Sequence, residues 1–157
     1  MSPGFSCYTR RVSAFALKAP ETAACPLLVE VPHAGLSLPD DVRHQLLLPG
    51  DAILRDADIF VDRLYEHAPT LGATLLTAQH SRYVVDLNRA HDDLDAATVS
   101  GHPTATGAQP RGVVWRCTTD GRAILARPLT YAELVSRLTN YYVPYHAVLK
   151  RTLDDFR

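Results

Sequence analysis

The segment Gln79–Arg89 carries the side chains that are best suited to chemistry. If this segment is a strand, its side chains alternate between two faces. The even positions then share one face, and they are Arg82, Val84, Asp86 and Asn88. A face buried against helices does not accept a cation, a carboxylate and an amide unless they pair or meet a ligand. The pattern leaves two interpretations open, an Arg82–Asp86 ion pair at a sheet end or a binding site.

A histidine lies directly after the most apolar predicted strand. The run Leu27–Val31 is bounded by two prolines and predicts a buried strand. His33 follows the second proline, at the carboxyl end of the strand, where open α/β sheets hold their ligands. The small residues Ala34 and Gly35 allow a ligand or another backbone segment to come close. We interpret His33 either as a ligand or as a structural loop histidine.

Two carboxylates precede the next predicted helix. Asp56 and Asp58 stand before apolar residues with helical spacing, which predict a helix from about Ile59 to His67. An aspartate at a helix start accepts backbone N–H bonds, which stabilises the helix by roughly 1 kcal/mol. Helix capping alone therefore explains both residues, and their spacing does not distinguish one from the other.

Four motifs in the chain resemble the N-formylglutamate amidohydrolase family, whose fold is similar to that of zinc carboxypeptidases. They are Val-Pro-His-Ala-Gly from Val31, Asp-Ala-Asp-Ile-Phe-Val-Asp-Arg-Leu-Tyr from Asp56, Ser-Arg-Tyr-Val-Val-Asp-Leu-Asn-Arg from Ser81, and Pro-Tyr-His from Pro144. The resemblance implies a zinc-dependent amidohydrolase of histidine degradation. Such an enzyme hydrolyses an N-formyl or N-acyl amino acid, such as N-formylglutamate, to formate and the free amino acid.

The resemblance also implies a metal site. His33 matches the histidine of the Pro-His-small-Gly motif and is expected to be the first zinc ligand. The family has an Asp-x-Asp in the second motif, so Asp56 is the preferred carboxylate ligand and Asp58 the alternate. His146 is interpreted as a third ligand, as a residue that contacts a ligand, or as a packed histidine. A catalytic zinc usually has three protein ligands and a water molecule.

Arginines are expected to contact a carboxylated small-molecule substrate. By resemblance, Asn88 and Arg89 bind its α-carboxylate, and the planar guanidinium of arginine matches a carboxylate with two parallel hydrogen bonds. Arg82 is assigned a catalytic role, in which it polarises the scissile carbonyl or binds a second carboxylate. Arg111 is expected to meet the anionic substrate, with an ordinary surface arginine as the alternative.

The family pattern extends beyond the motifs present in these residues. Family members continue with an Asp-x-His-Ser motif, whose histidine is a zinc ligand, and a late glutamate that would be the general base. Neither has a counterpart in this sequence. Three explanations are open: a fragment of a longer enzyme, a shortened relative that uses His146 or another local histidine, or a degenerate member that binds a carboxylated ligand or partner subunit without turnover. A shortened protein would expose a sheet edge and an apolar face, so we expect a homodimer.

The elements that must position these residues alternate between strand and helix. Strand, helix and strand in succession predict a parallel crossover, and a short turn after Ala78 predicts an antiparallel neighbour. The fold class is therefore α/β, with a mixed, partly parallel sheet flanked by helices. By resemblance it is a shortened zinc-carboxypeptidase-like (phosphorylase/hydrolase-like) fold. The predicted strands cover 11–17, 27–31, 71–78, 83–87 and 111–116, and the predicted helices 40–48, 59–67 and 130–156.

Local signals mark the ends of these elements. Thr130 and Glu133 have the spacing of a capping box and predict the start of the long last helix. Pro144 lies inside that helix and predicts a kink or split near Val143. Pro49 and Gly50 are expected to end the helix 40–48, and the polar segment 90–109 is expected to be an irregular loop.

Composition favours an ordinary globular protein. The 157 residues, 46% of them hydrophobic and 21% charged, suit one domain over residues 1–157, in the resemblance a truncated amidohydrolase domain. A net charge of −1 indicates neither nucleic-acid binding nor a polybasic membrane patch. No apolar run approaches the roughly 20 residues of a membrane span, and the first residues lack a signal-peptide pattern. We expect a cytoplasmic protein with reduced thiols at Cys7, Cys25 and Cys117.

Overall fold

The computed structural model describes residues 13–47, 50–102 and 109–157. Four sequence-based predictions fall wholly or partly outside these ranges. They are the thiol of Cys7, the start of the first strand at Arg11, the helix stop at Pro49 and the loop residues 103–108.

Three strands form the main sheet in the order β1-β3-β2. Strand β2 pairs in parallel with β3, so that Leu28 lies opposite Thr74, whereas β1 runs antiparallel to β3. The mixed, partly parallel α/β sheet and its parallel crossover are therefore confirmed. The strands are β1 (Phe15–Lys18), β2 (Leu28–Val31) and β3 (Thr74–Ala78), and a separate parallel pair is formed by β4 (Val99–Ser100) and β5 (Leu129–Thr130).

The helices before β3 are short, and a longer helical segment closes the chain. The predicted helix 59–67 contracts to a single turn, α3, followed by a 3-10 turn over Ala68–Leu71, and the predicted helix 40–48 contracts to α1. The five helices among the described residues are α1 (Asp40–Arg43), α2 (Ile53–Asp56), α3 (Val61–Leu64), α4 (Tyr131–Arg137) and α5 (Val143–Asp154).

Local sequence signals determine where the last helical segment begins and where its geometry changes. The capping box is confirmed, since Thr130 Oγ1 accepts from Glu133 N at 3.2 Å and the Glu133 carboxylate accepts from Thr130 N at 2.8 Å. The helix does not split at Pro144. It widens instead into a π turn over Leu138–Tyr142 between α4 and α5, because proline removes one backbone donor and the chain accommodates the loss with wider hydrogen-bonded rings.

The predicted strand over Tyr83–Leu87 is wrong, because residues 81–89 form consecutive turns. Backbone groups of this segment make hydrogen bonds to side chains rather than to a neighbouring strand. Arg137 Nη1 donates to the carbonyls of Tyr83 at 3.1 Å and Val84 at 3.0 Å, and Asp86 Oδ1 accepts from Asn88 N at 2.9 Å. Such side-chain bonds to the backbone replace the bonds that a neighbouring strand would make. The antiparallel neighbour of β3 is β1 instead.

The segment 111–116 is also not a strand. It makes one isolated antiparallel bridge, between Arg111 and Trp115, within a run of turns and bends. An Asp-Gly turn follows Thr119, with Gly121 at a φ of 84°, a conformation that glycine adopts without strain.

The sheet lies between two apolar layers. On one face, Leu76 and Ala78 pack with Leu134 and Tyr145 of the last helical segment, and on the other Val31 and Leu75 pack with Ala68. No helix within the described ranges is long and apolar enough to cross a bilayer. Cys25 and Cys117 are free thiols, as expected.

Candidate functional site

His33 follows the carboxyl end of β2 and is buried, with 6% of its surface exposed. Its carbonyl accepts from Asp58 N at 3.0 Å, which ties the β2 end to the segment before α3. Gly35 lies so close to the backbone after β3 that an added Cβ would stand 2.5 Å from the Gln79 carbonyl carbon. The small residues after His33 therefore allow a close backbone approach, which fixes His33 beside the end of β3.

Asp86 is fully buried and holds His33. Its Oδ1 lies 2.8 Å from His33 Nε2, and its Oδ2 accepts from Trp115 Nε1 at 3.0 Å. Burial acts to raise the pKa of Asp86, but the hydrogen bond and charge of His33 and the charge of Arg82 outweigh it and hold the pKa below its ordinary value. An ionised Asp86 only accepts hydrogen bonds, so His33 Nε2 carries a proton.

The other ring nitrogen of His33 faces a second carboxylate. Nδ1 lies 3.5 Å from Asp58 Oδ2, and the Asp58 side chain is 50% exposed. At this distance Nδ1 and the Asp58 carboxylate can share a proton or a cation. The donor set is therefore suited to a positive charge.

In this structure Arg82 supplies that charge. Its Nη2 lies 2.9 Å from both ring nitrogens of His33 and 3.2 Å from Asp86 Oδ2. Its guanidinium also stacks 4.6 Å from the centre of the Trp115 ring, a favourable arrangement for a cation. The Arg82–Asp86 ion pair that the sequence left as one interpretation is present, and His33 belongs to the same network.

Asp56 lies elsewhere and has its own partners. The residue is 6% exposed. Its Oδ2 accepts from Tyr83 Oη at 2.6 Å and Thr119 N at 3.1 Å, and its Oδ1 accepts from the Thr119 hydroxyl. Burial acts to raise the pKa of Asp56, but the hydrogen bonds from Thr119 and Tyr83 outweigh it and lower that pKa. The geometry thus favours Asp58 over Asp56 as a ligand beside His33.

Asn88 and Arg89 present exposed side chains just beyond the buried network. The Arg89 side chain is 46% exposed, and its Nη1 lies 3.9 Å from Asp93 Oδ2. A contact of this length at the surface stabilises little, so the guanidinium is accessible to a carboxylate ligand.

Arg111 is half-buried, donates to the Thr118 carbonyl at 3.4 Å and lies 5.9 Å from the Trp115 ring centre. Trp115 therefore contacts both Arg111 and Arg82.

His146 contacts the segment beside Asn88 rather than His33. Its ring faces the backbone of Leu87 and stacks on Tyr142 with 4.0 Å between ring centres. Burial lowers its pKa, which favours the neutral ring, although the Leu87 bond and the Glu30 charge oppose this shift. Within residues 13–47, 50–102 and 109–157, no group of three His, Cys, Asp or Glu side chains is placed to hold a metal ion.

Sequence reasoning missed three residues of this region: Tyr83, Trp115 and Thr119. Trp115 is the single tryptophan of the chain, and a buried indole N–H needs an acceptor. The need of the indole N–H for an acceptor was the one sequence feature that predicts a buried hydrogen-bond acceptor near Trp115. Nothing local to Thr119 indicates that it binds Asp56, 63 residues away.

Comparisons with known proteins identify the family of this chain. A family model described as N-formylglutamate amidohydrolase matches residues 25–157. An N-formylglutamate deformylase of Pseudomonas putida is 36% identical over 134 residues, which are 84% of this chain and 46% of that protein. An N-formylglutamate deformylase of Pseudomonas aeruginosa is 35% identical over 130 residues, covering 82% of this chain and 45% of that protein. The chain therefore spans about half the length of these curated relatives.

Solved structures show the same fold. The crystal structure of an N-formylglutamate amidohydrolase from Ralstonia eutropha superposes with a TM-score of 0.82 at 34% identity, over 92% of this chain and 52% of that one. A protein from Agrobacterium tumefaciens superposes with a TM-score of 0.53 at 21% identity, over 92% of this chain and 51% of that one, and shows the fold alone. The family match and the two deformylases together establish that this chain belongs to the N-formylglutamate amidohydrolase family.

Proposed function

We propose that this chain binds N-formylglutamate and takes part in its zinc-dependent hydrolysis to formate and glutamate. The observation that carries the proposal is the proximity of two side chains of metal-ligand type, His33 after β2 and Asp58 before α3, whose Nδ1 and Oδ2 atoms lie 3.5 Å apart. They stand beside the partly buried Arg82 and are joined through Asp86 to the exposed Asn88–Arg89 segment. The relatives are named for this activity, which supports the choice of substrate.

The residues divide into two groups in the proposed site. Asn88 and Arg89 bind the α-carboxylate of the substrate, since a guanidinium and an amide match a carboxylate. Arg82 lies at the His33 end, where its guanidinium stabilises negative charge that develops on the formyl oxygen. Arg111 is half-buried close to the same tryptophan, which suits the second carboxylate of glutamate. Holding the substrate at one end fixes the position of the formyl group at the other.

Zinc would be held by His33 and Asp58. Their donor types suit zinc, and the carboxylate of Asp86 orients the imidazole through its far nitrogen, as outer partners of metal-bound histidines do. The described side chains supply two protein ligands, one fewer than a catalytic zinc usually has. Bound zinc polarises a carbonyl and lowers the pKa of its water toward 7. His146 binds Leu87 and is not part of this donor set.

Formate release from N-formyl-L-glutamate tests the proposal. The wild-type chain is measured with added zinc beside Arg89→Ala, with Arg43→Ala as the control, because Arg43 is exposed on α1 and contacts Asp40. Loss of a charged hydrogen-bond donor costs about 1.5–3 kcal/mol, so we expect Arg89→Ala to raise KM about 10- to 100-fold. We expect Arg43→Ala to leave KM within about twofold. Wild-type protein that neither binds nor hydrolyses the compound would contradict the proposal.

A second candidate function is binding without turnover. One specific observation favours it: the described residues place only two potential zinc ligands together. This candidate predicts that N-formyl-L-glutamate binds, that binding weakens in Arg89→Ala, and that no formate appears at any zinc concentration. The homodimer expected from the sequence also stays a prediction, which sedimentation of the purified chain would test.

A further inference from the structure

The backbone around Asn88 is held at three points, although the side chains of Asn88 and Arg89 are exposed. Asn88 N donates to Asp86 Oδ1 at 2.9 Å. On one side of Asn88, the ring of His146 faces the backbone of Leu87. On the other side, the Arg89 carbonyl accepts from Tyr142 Oη at 2.8 Å. Two of the three points therefore come from the last helical segment.

Tyr142 and His146 act together. Their rings lie 4.0 Å apart at an angle of 34°, so each restricts the orientation of the other. Tyr142 is the last residue of the π turn and His146 lies in the first turn of α5. A π turn displaces the residues that follow it around the helix axis and is frequent at functional sites. Here the displaced pair faces Leu87 and Arg89.

Both side chains have the protonation state that this contact needs. Burial raises the pKa of Tyr142, and the charge of Asp92 adds to the rise, so its hydroxyl remains a donor. Burial lowers the pKa of His146, so at neutral pH the ring is uncharged and has one N–H. The second nitrogen, Nε2, is buried without a hydrogen-bond partner among the described residues. The single N–H is thus used for Leu87.

We propose that Tyr142 and His146 are positioning residues, which hold the backbone of Leu87–Arg89 so that Asn88 and Arg89 meet the substrate carboxylate already oriented. The inference rests on the proposed function, because it assigns a purpose to the rigidity of the same segment. A binding loop that is ordered before the ligand arrives loses less conformational freedom on binding, so its affinity is higher. Neither side chain touches the substrate in this arrangement.

Tyr142→Phe is the informative variant, and Tyr141→Phe is its matched control. Both changes remove one hydroxyl from adjacent residues of the same π turn, but the Tyr141 hydroxyl binds Asp41 on α1, at 2.7 Å. Two quantities are measured: hydrogen exchange of the amides of residues 86–90, and affinity for N-formyl-L-glutamate by calorimetry. Loss of one hydrogen bond predicts about a fivefold to tenfold weaker affinity in Tyr142→Phe. Amide exchange in the segment should rise by a similar factor.

His146 provides a second comparison. His146→Leu removes the N–H, whereas His146→Gln retains a side-chain donor. We expect His146→Leu to weaken affinity about fivefold to tenfold and His146→Gln to restore part of the loss. Where formate release is measurable, KM should rise while kcat changes less than twofold, because the chemistry lies at the His33 end. A residue that acted only on overall stability would lower the unfolding midpoint without this division between KM and kcat.

The outcomes separate the inference from the proposed function. Wild-type protein that does not bind N-formyl-L-glutamate would overturn both. Wild-type binding with equal affinities and equal amide exchange in Tyr142→Phe and Tyr141→Phe would overturn the inference alone. Faster exchange at residues 86–90 with unchanged affinity would also overturn it, because the segment would then be held without benefit to binding.

Discussion

Asp56 and Asp58 stand two residues apart, and the parts of the molecule around them differ. The closed side consists of Asp56, Tyr83 and Thr119, where the carboxylate of Asp56, a residue 6% exposed, accepts hydrogen bonds from the other two. The open side consists of Asp58 and the Nδ1 of His33, where a 50% exposed carboxylate lies 3.5 Å from the ring nitrogen. The closed side connects α2 to the Asp-Gly turn, and the open side offers ligands.

The difference shows how one short segment serves two purposes. On the closed side both carboxylate oxygens of Asp56 accept hydrogen bonds from the protein, so this carboxylate stabilises the fold. On the open side the demand for positive charge is met by Arg82, which also pairs with Asp86. Arg82 Nη1 donates to the Asp56 carbonyl at 3.2 Å, so the two sides share a residue. The closed side thus holds the open side in place.

The largest expected effect is on stability. Asp56→Ala leaves the buried hydroxyl of Tyr83 and the donors of Thr119 without partners, so we expect the free energy of unfolding to fall by about 3–5 kcal/mol. Asp58→Ala is the matched change on the open side and should alter it by less than about 0.5 kcal/mol. Urea unfolding of both variants measures the difference. If Asp56→Ala fails to fold, Asp56→Asn provides the weaker form of the test, and equal losses in both positions would contradict the comparison.

Metal binding should show the reverse order. Replacing the residue that hydrogen-bonds the second ring nitrogen of a metal-bound histidine typically lowers metal affinity about 10- to 100-fold. Loss of a metal ligand should lower it at least as much. We therefore expect zinc affinity to fall about 100-fold in His33→Ala and Asp58→Ala. Asp56→Asn should retain zinc, because its carboxylate faces Tyr83 and Thr119. Elemental analysis and competition with a chelator measure this. Zinc that depends on Asp56 and not on Asp58 would refute the division into two sides.

The free energy of unfolding at acid pH depends on the closed side, through the Asp56 carboxylate. The folded-state pKa of Asp56 is below its ordinary value. The stabilisation is therefore complete above the unfolded pKa, near pH 4, and is lost as pH falls toward the lower folded pKa. Tyr83→Phe removes one of the bonds that lower this pKa. We expect it to reduce the free energy of unfolding by about 1–2 kcal/mol at pH 7.

The pH dependence distinguishes this bond from general packing. The deficit of Tyr83→Phe should shrink below about pH 4, where protonated Asp56 contributes less in the wild type as well. Tyr65→Phe is the control, since Tyr65 is half exposed on the surface. Urea unfolding at pH 7, 5 and 3 measures both variants. A Tyr83→Phe deficit that is independent of pH would show that the hydroxyl does not act through an ionised Asp56.

The fold was predictable from the sequence where local pattern and tertiary packing agree. Strand β2 is an apolar run between prolines, and β3 is an apolar run after Gly72, so both strands and their parallel crossover followed from the chain itself. The segment 83–87 is equally apolar, yet it forms turns. Its carbonyls are bound by Arg137, about 50 residues away, and no local pattern reveals that a buried arginine replaces a neighbouring strand.

The candidate site divides in the same way. The ion pair of Arg82 and Asp86 was one of two interpretations of a single segment, and the structure shows it. The choice between Asp56 and Asp58 was not available, because it depends on Thr119 and Tyr83, residues distant in sequence that close around one carboxylate. Sequence spacing identifies which residues are near one another on an element. It does not identify which of these side chains are already hydrogen-bonded to residues from other parts of the fold.

The smallest expected effect concerns the turn that follows Asp58. Phe60 has a φ of 68° and is 60% exposed, a left-handed conformation that costs a residue other than glycine about 1–2 kcal/mol. Asparagine tolerates this conformation better. The Arg63 guanidinium stacks 5.3 Å from the Phe60 ring centre, which offsets about 0.5–1 kcal/mol at an exposed site. We therefore expect Phe60→Asn to raise the free energy of unfolding by about 0.5 kcal/mol.

Arg63→Gln removes the stacking contact without changing the backbone, so it isolates that contribution, and urea unfolding measures both variants. Strained backbone persists where the surrounding structure determines it, and it concentrates at binding sites. The comparison of the two sides therefore gains a further consequence. If Phe60→Asn is more stable and binds zinc more weakly, the strain is what keeps the Asp58 carboxylate beside His33. The opposite result is that Phe60→Asn lowers the free energy of unfolding by more than Arg63→Gln does. The left-handed turn is then not a source of strain, and the open side is held by the Asp58–His33 backbone bond alone.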